Sequence, residues 1–264
     1  MNSRRAEPGD LALLALELET LWASDDRGRL CGSVRPWPQL AIAVGSDGRR
    51  VAVGSDVPDH FADELSAAAQ ARPWDEPAGD PPRGLGECIR LLTTMGAVTV
   101  TSGPSFVVPP GTASTVEPVP RRSSGTDDDL IPLRPADWWE PDEWCDLLAG
   151  ELGPWAMSME AGQVTALCHT SRLSERAAEA GVWAHPNFRG HGRASAATAV
   201  WAGHPDLGDR VRFYSTSSDN GASRRVAAKL GLRPIGWIWK LSVERDPWNE
   251  IGETGSGTRA LADR

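Results

Sequence analysis

The residues with the clearest chemical potential lie in the stretch GVWAHPNFRGHGRASAATAVWA, residues 181–202. An apolar, strand-like run meets a proline, then two glycines, Gly190 and Gly192, and then a helix of small residues. Glycine lets the backbone turn sharply and lets a ligand approach the amides. The first turn of a helix has unpaired N–H groups and the positive end of the helix dipole. This combination favours an anion, most naturally a phosphate.

Basic side chains surround this turn. Arg189 and Arg193 flank it, and residues 183–240 contain seven Arg and two Lys against three Asp, a net charge of +6. The whole chain carries −9, so the remainder carries −15. A basic segment inside an acidic protein indicates a local anionic ligand, whereas the overall charge argues against a general nucleic-acid binder. A tight turn with solvated arginines is the simpler alternative, and a dinucleotide fingerprint fails because its third glycine is missing.

The elements that must position this turn follow an α+β pattern. Upstream, PDEWCDLLAG has the spacing of an amphipathic helix, and WAMSMEAGQVTALCHTS predicts a hairpin of two strands around EAG. A third strand, AAEAGVWA, leads into the glycine turn. Downstream, VRFYSTS predicts a strand, NGASRRVAAKL a helix, and GLRPIGWIWKLSV a final strand.

The amino-terminal half contains no catalytic motif. Its leucine-rich helix at residues 10–23, the hairpin LAIAVGSDGRRVAVG, two further helices and the strand AVTVT predict a smaller α+β domain over residues 1–102. Residues 103–129 are rich in Pro, Ser, Thr and Gly, which indicates a linker. The second domain is then expected at residues 130–246, followed by a polar, mobile tail at residues 247–264.

The residues around the turn resemble the GNAT superfamily of acyl-CoA-dependent N-acetyltransferases. The family signature, Gln/Arg-x-x-Gly-x-Gly/Ala after a strand, reads Arg189-Gly190-His191-Gly192-Arg193-Ala194 here. Downstream, NGASRRVAAKLGLRPIG is similar to the family's Asn-led helix that ends in glycine. The resemblance covers about residues 130–243 and implies a mixed β-sheet that splays beside the strand before the turn, flanked by helices.

The resemblance also implies where acetyl-CoA, the expected acyl donor, binds. Backbone groups of Trp183 and Ala184 would pair with the pantetheine arm, and the amides of residues 189–194 would hold the pyrophosphate. Asn220 would contact the pantetheine or the substrate, although an ordinary helix N-cap is an equally good role for an asparagine there. No metal is expected.

Acetyl transfer to an amine requires a group that accepts the amine proton and a thiolate that leaves. Many family members carry a glutamate near Glu179, and a solvated strand-end charge is the alternative for that residue. His169 and His185 are weaker candidates for the base. The family's usual acid, a tyrosine, corresponds to Ala227 here, so the single tyrosine, Tyr214, is the remaining candidate, or else an ordinary strand aromatic.

Three functions remain open from the sequence. The chain is expected to be a small-molecule N-acetyltransferase, a transferase acting on a protein or a charged tRNA, or a non-catalytic acyl-CoA sensor. The twelve tryptophans suggest an apolar acceptor pocket, and the resemblance places Trp138, Trp139 and Trp155 on the elements that border the acceptor, while a place in the core is the alternative for most of the twelve. Scattered cysteines and the lack of a membrane span or signal peptide predict a cytoplasmic protein. Covering the acceptor pocket and homodimerisation are two open roles for residues 1–102.

Overall fold

The computed structural model of the chain describes residues 8–32, 37–74, 76–77, 79–115, 119–122 and 128–244. The helices are α1 (Asp10–Leu21), α2 (Asp59–Ala69), α3 (Leu85–Thr93), α4 (Pro141–Ala149), α5 (Arg193–Ala202) and α6 (Gly221–Lys229). The strands are β1 (Ala23–Ser24), β2 (Leu30–Cys31), β3 (Leu40–Gly45), β4 (Gly48–Val53), β5 (Ala97–Val107), β6 (Val119–Arg122), β7 (Trp155–Glu160), β8 (Gln163–Leu173), β9 (Ala177–Ala184), β10 (Val211–Ser215) and β11 (Arg233–Glu244).

Nine of these strands form one mixed sheet, in the order β4-β3-β11-β5-β10-β9-β8-β7-β6. Only the β9–β10 pair is parallel among the described strands. Side chains alternate between the two faces of a strand. One face packs against α1 and α4, and the opposite face packs against α2, α3, α5 and α6. The mixed, helix-flanked sheet expected from the sequence is therefore confirmed.

The predicted boundary at Gly103 is wrong, because both halves of the chain share this sheet. β5 runs through that position and pairs with β11 along its length and with β10 at its end. Gly103 is required by close packing and does not start a linker: a Cβ there would lie 1.7 Å from the carbonyl oxygen of Thr216. Of the remaining predicted linker, residues 119–122 form β6 and a 3₁₀ helix begins at Asp128, while residues 116–118 and 123–127 lie outside the described part.

The local elements were predicted more accurately than their grouping. The first helix, the β3–β4 hairpin with its Ser-Asp-Gly turn, and every predicted element around the glycine turn are present. The tail at residues 247–264 lies outside the described residues. Across the described ranges, the longest apolar helices are too short to cross a membrane.

Candidate active site

A gap opens in the sheet where β9 and β10 separate. The two strands pair only at residues 177–179 and 211–213, while β9 continues to Ala184 alongside β8. The amide of His185 donates to Thr165 at 3.0 Å, so alternate residues of β9 turn their backbone groups toward β8. Val182 and Ala184 therefore turn theirs toward the gap. The backbone of Trp183, which was predicted to pair with the ligand in the gap, is turned toward β8. The backbone of Val182 is turned toward the gap instead.

The glycine turn lies at the mouth of this gap. Gly190 and Gly192 have φ values of +85° and +78°, a region that L side chains rarely adopt, and Gly192 precedes the first residue of α5. Within the described residues, no acceptor pairs with the amides of residues 190–195. The side chain of Ser195 adds a further donor: it is 3% exposed and its Oγ has no hydrogen-bond partner in the described chain. The turn thus presents several unsatisfied donors to one place.

A cavity of about 370 Å³ joins the gap, the turn and α6. It is lined by most of the residues predicted to bind the acyl donor: Trp183, Ala184, Arg189, Gly190, Gly192, Arg193, Ala194 and Asn220. Tyr214, one of the two candidate catalytic residues, also lines it. His191 and Glu179 do not, so these two predicted residues stand apart from the cavity.

The positive charge of the cavity comes in part from residues that the sequence did not single out. Arg225 and Lys229 lie four residues apart on α6 and both line the cavity. The Nζ of Lys229 donates to the carbonyl oxygen of Gly190 at 3.1 Å and so supports the turn. Arg193, by contrast, directs its guanidinium to Glu160 at 2.5 Å. The Arg-Arg-x-x-x-Lys spacing on the Asn-led helix was the signal for this cluster.

Asn220 has the N-cap role, one of the two roles that the sequence left open. Its Oδ1 accepts a hydrogen bond from the Ser223 amide at 3.0 Å, which caps the amino terminus of α6. It also lines the cavity.

Tyr214 lies near the position of the missing family tyrosine. It is 1% exposed and packs in the same cluster as Ala227. Its hydroxyl lies 2.6 Å from the Oγ of Ser223. Burial raises the pKa of the Tyr214 phenol to about 12, so the group is protonated at neutral pH. Ala227, which stands where the family has its tyrosine, therefore packs in the same cluster as a tyrosine that β10 supplies.

Glu179 lies on the opposite face of the sheet, beneath the point where β9 and β10 part. Its Oε1 accepts hydrogen bonds from the amide and the hydroxyl of Ser215, at 2.8 and 2.7 Å. It is only 3% exposed, and burial raises the pKa of its carboxyl from 4.5 to about 7 even though the Ser215 hydrogen bonds lower it. A carboxyl that titrates near neutral pH can exchange a proton under working conditions.

A second cavity, of about 640 Å³, lies on the same face as Glu179. Trp138 and Trp139 line it together with His169, and Trp138 and Val182 border both cavities. The third tryptophan of the predicted acceptor pocket, Trp155, is fully buried in the core and lines neither cavity.

The two histidines named as weaker bases have other roles. Burial lowers the pKa of His169 to about 4, so its ring is neutral, and it packs edge-on against Trp139. The Nδ1 of His185 accepts a hydrogen bond from the Asn187 amide at the start of the turn. Across the described residues, no group of three or more His, Cys, Asp or Glu side chains could hold a metal ion.

Comparison with known proteins gives a family match to part of the chain. Residues 126–233 match the family model of the acetyltransferase (GNAT) domain. No curated protein matches the chain significantly.

Several solved structures are similar over most of the chain. One is a putative GNAT-family acetyltransferase from Novosphingobium aromaticivorans (16% identity, 88% of this chain and 94% of that chain, TM-score 0.46). Another is a GNAT-family acetyltransferase from Colwellia psychrerythraea (14% identity, 89% and 96%, TM-score 0.46). A third is a tandem GNAT protein from the clavulanic acid biosynthesis pathway (15% identity, 90% and 88%, TM-score 0.45).

Proposed function

The chain contains an acetyltransferase (GNAT) domain at residues 126–233, and from this premise we propose that it transfers an acetyl group from acetyl-CoA to the amine of a small molecule. The observation that carries the proposal is that one continuous cavity, the first of the two, joins the β9–β10 gap to the glycine turn at the start of α5. A ligand with an anionic centre and an arm that carries amide groups suits the charge and the free backbone groups around that cavity.

The residues present fit the expected acyl donor, which would supply the acyl thioester. The unpaired amides of residues 190–195 and the buried hydroxyl of Ser195 are donors suited to a pyrophosphate. Arg189, Arg225 and Lys229 add positive charge. Backbone groups of Val182 and Ala184 suit the amides of the pantetheine arm, although Arg189 already donates to the Ala184 carbonyl oxygen at 3.3 Å and would have to release it.

Tyr214 is the proposed acid. Tyr214 lines the cavity, and its hydroxyl carries its proton at neutral pH and forms a hydrogen bond with Ser223. It would give that proton to the sulfur that leaves. A thiol has a pKa near 8.5, so the anion is already a tolerable leaving group and we expect the acid to contribute modestly.

Glu179 is the proposed base, because the amine must lose a proton and an alkyl ammonium has a pKa near 10. Its carboxyl lies on the face of the second cavity but lines neither cavity, so the proton would reach it through the Ser215 hydroxyl or through water.

The second cavity, with its tryptophan wall, is the proposed acceptor site, and it meets the first at Trp138 and Val182. This arrangement lets an amine approach from the face opposite α5 and α6. We further propose a cytoplasmic location, which the four free cysteines support.

The test is steady-state release of thiol from acetyl-CoA in the presence of a panel of small amines, with hydrolysis in the absence of amine as the control. Turnover with at least one small amine supports the proposal. Turnover only with protein amino termini or aminoacylated tRNA would replace it with a macromolecular acceptor. Binding of acetyl-CoA without turnover on any amine would indicate a sensor.

A further inference from the structure

A buried carboxyl group from the amino-terminal half lies close to the proposed base. Glu17 is in the middle of the leucine-rich helix α1, which packs on β3, β9 and β11. Its side chain is fully buried, whereas its neighbour Glu19 is exposed and pairs with Arg176. Acidic side chains are almost never fully buried unless they have partners. We therefore expect the buried carboxyl of Glu17 to have hydrogen-bond or charge partners.

Its hydrogen-bonding surroundings connect Glu17 to Glu179. The hydroxyl of Ser105, on β5, donates to Glu17 Oε2, and the hydroxyl of Ser215, which is its partner residue on β10, donates to Glu179 Oε1. Each carboxyl also keeps one buried oxygen, Glu17 Oε1 and Glu179 Oε2, without a partner in the described chain. A carboxylate oxygen buried without a donor carries a large desolvation cost.

The two carboxyls have few hydrogen-bond donors around them, so the number of hydroxyl protons limits how many of their oxygens can be paired. A serine hydroxyl has a single proton to donate, and Ser215 gives it to Glu179. Ser105 gives its own proton to Glu17 Oε2, so neither serine has a proton left for Glu17 Oε1, and protonation of Glu17 removes a charge that would have no second donor in the described chain. Two ionised carboxyls in one buried site would also repel each other.

The positive charge of Lys240 can balance one ionised carboxyl of the two. Lys240, on β11, is half-buried and attracts both carboxyls, and it is the cation that faces them from the packed elements. Burial and the charge of Glu179 raise the pKa of Glu17 well above 4.5, more than Ser105 and Lys240 lower it. A protonated Glu17 beside an ionised Glu179 leaves one net negative charge opposite Lys240.

We propose that Glu17 and Glu179 form a buried carboxyl pair in which Glu17 holds the proton, and that α1 thereby contributes a positioning residue to the active site. A neutral Glu17 places no second negative charge beside Glu179 and so favours the ionised form of Glu179. The existence of the pair is independent of the reaction, whereas its role toward the base depends on the proposed function.

The first test measures how many protons the chain takes up when it folds. At pH 8, above the titration of Glu179, both carboxyls are ionised in the unfolded chain, so folding takes up about one proton at Glu17. The pH dependence of the denaturation midpoint measures this uptake. We expect Glu17→Gln to take up about one proton fewer than the wild type, and the matched control Glu19→Gln to behave like the wild type. Equal uptake in Glu17→Gln and wild type would overturn the pair.

Infrared spectroscopy of the folded protein gives a second reading that does not depend on a variant refolding after denaturation. The wild type and Glu179→Gln should both show the carbonyl stretch of a protonated carboxylic acid at pH 8. Absence of this band in both proteins would also overturn the proposal.

The role toward the base is tested by the pH profile of kcat/KM. Gln is neutral and polar, as the protonated Glu17 is, so Glu17→Gln should keep the acid limb of the profile. Glu17→Leu puts an apolar side chain beside Glu179 and desolvates it further, so its acid limb should move up by about one pH unit. A purely structural role would lower activity without moving the limb. If no variant shows acyl transfer, the proton count and the infrared band still decide whether the pair exists.

Discussion

Glu179→Gln tests the proposed base with little change in its surroundings. Gln keeps the size of the side chain, and its oxygen can still accept the two hydrogen bonds from Ser215. The change removes the negative charge and the ability to take up a proton. We expect kcat/KM to fall by about 10² to 10⁴, the usual contribution of a general base. Affinity for CoA should stay the same because Glu179 does not line the first cavity.

The same variant should be less active than the wild type and yet more stable at high pH. A pKa raised from 4.5 to about 7 by burial corresponds to about 3 kcal/mol of unfavourable free energy once Glu179 is ionised in the folded state. This cost is absent below the pKa of the unfolded chain, grows as the pH rises, and is complete above the folded pKa. Glu179→Gln should therefore gain up to about 3 kcal/mol relative to the wild type between about pH 4 and pH 8.

Two measurements on one preparation check this expectation. Thiol release with an accepted amine gives kcat/KM, and urea denaturation near pH 5 and pH 8 gives the free energy of unfolding. An inactive variant that is also more stable at high pH supports the reasoning, because misfolding then does not explain the loss. Full activity would remove Glu179 from the mechanism. A variant that loses stability as the pH rises, relative to the wild type, would refute the burial argument.

The remaining predictions concern the first cavity. Tyr214→Phe should lower kcat by less than Glu179→Gln does, because the thiolate is already a tolerable leaving group; a larger loss than that of Glu179→Gln would reverse the two roles. Arg225→Ala and Lys229→Ala should each weaken CoA binding about fivefold, and less at high salt. Arg224→Ala is the matched control, because Arg224 precedes Arg225 but does not line the cavity. Equal effects at Arg224 and Arg225 in titration calorimetry would show that α6 acts only through general charge.

The elements that form the candidate site could be predicted from the sequence wherever their signals are local. A strand, a glycine turn and a small-residue helix follow one another within residues 181–202, so the type of residue at each position carried the information. The same holds for Asn220 at the start of its helix. Arg225 and Lys229 were missed because their relation to Gly190 depends on how α6 packs beside the turn.

The grouping of the two halves could not be predicted, because it depends on pairing between distant strands. β5 joins β10 and β11 over more than a hundred residues of sequence separation, and its Gly103 and Pro104 have the composition of a linker. The glycine is explained only by the Thr216 backbone that passes beside it. Glu17 was missed for the same reason: within α1 it is one acidic residue in a leucine-rich helix, and its partners lie on β5, β9 and β10.

The central claim, that the glycine turn binds the pyrophosphate of CoA, is tested most directly by titration calorimetry with acetyl-CoA. Gly192→Asp places a negative charge at the start of α5, where φ is +78° and Asp is tolerated better than most residues. Gly28→Asp is the matched control, with a φ of +74° in a turn of the amino-terminal half. We expect Gly192→Asp to weaken binding at least about 100-fold, equivalent to about 3 kcal/mol, and Gly28→Asp to bind like the wild type. A folded Gly192→Asp protein with wild-type affinity would contradict the account.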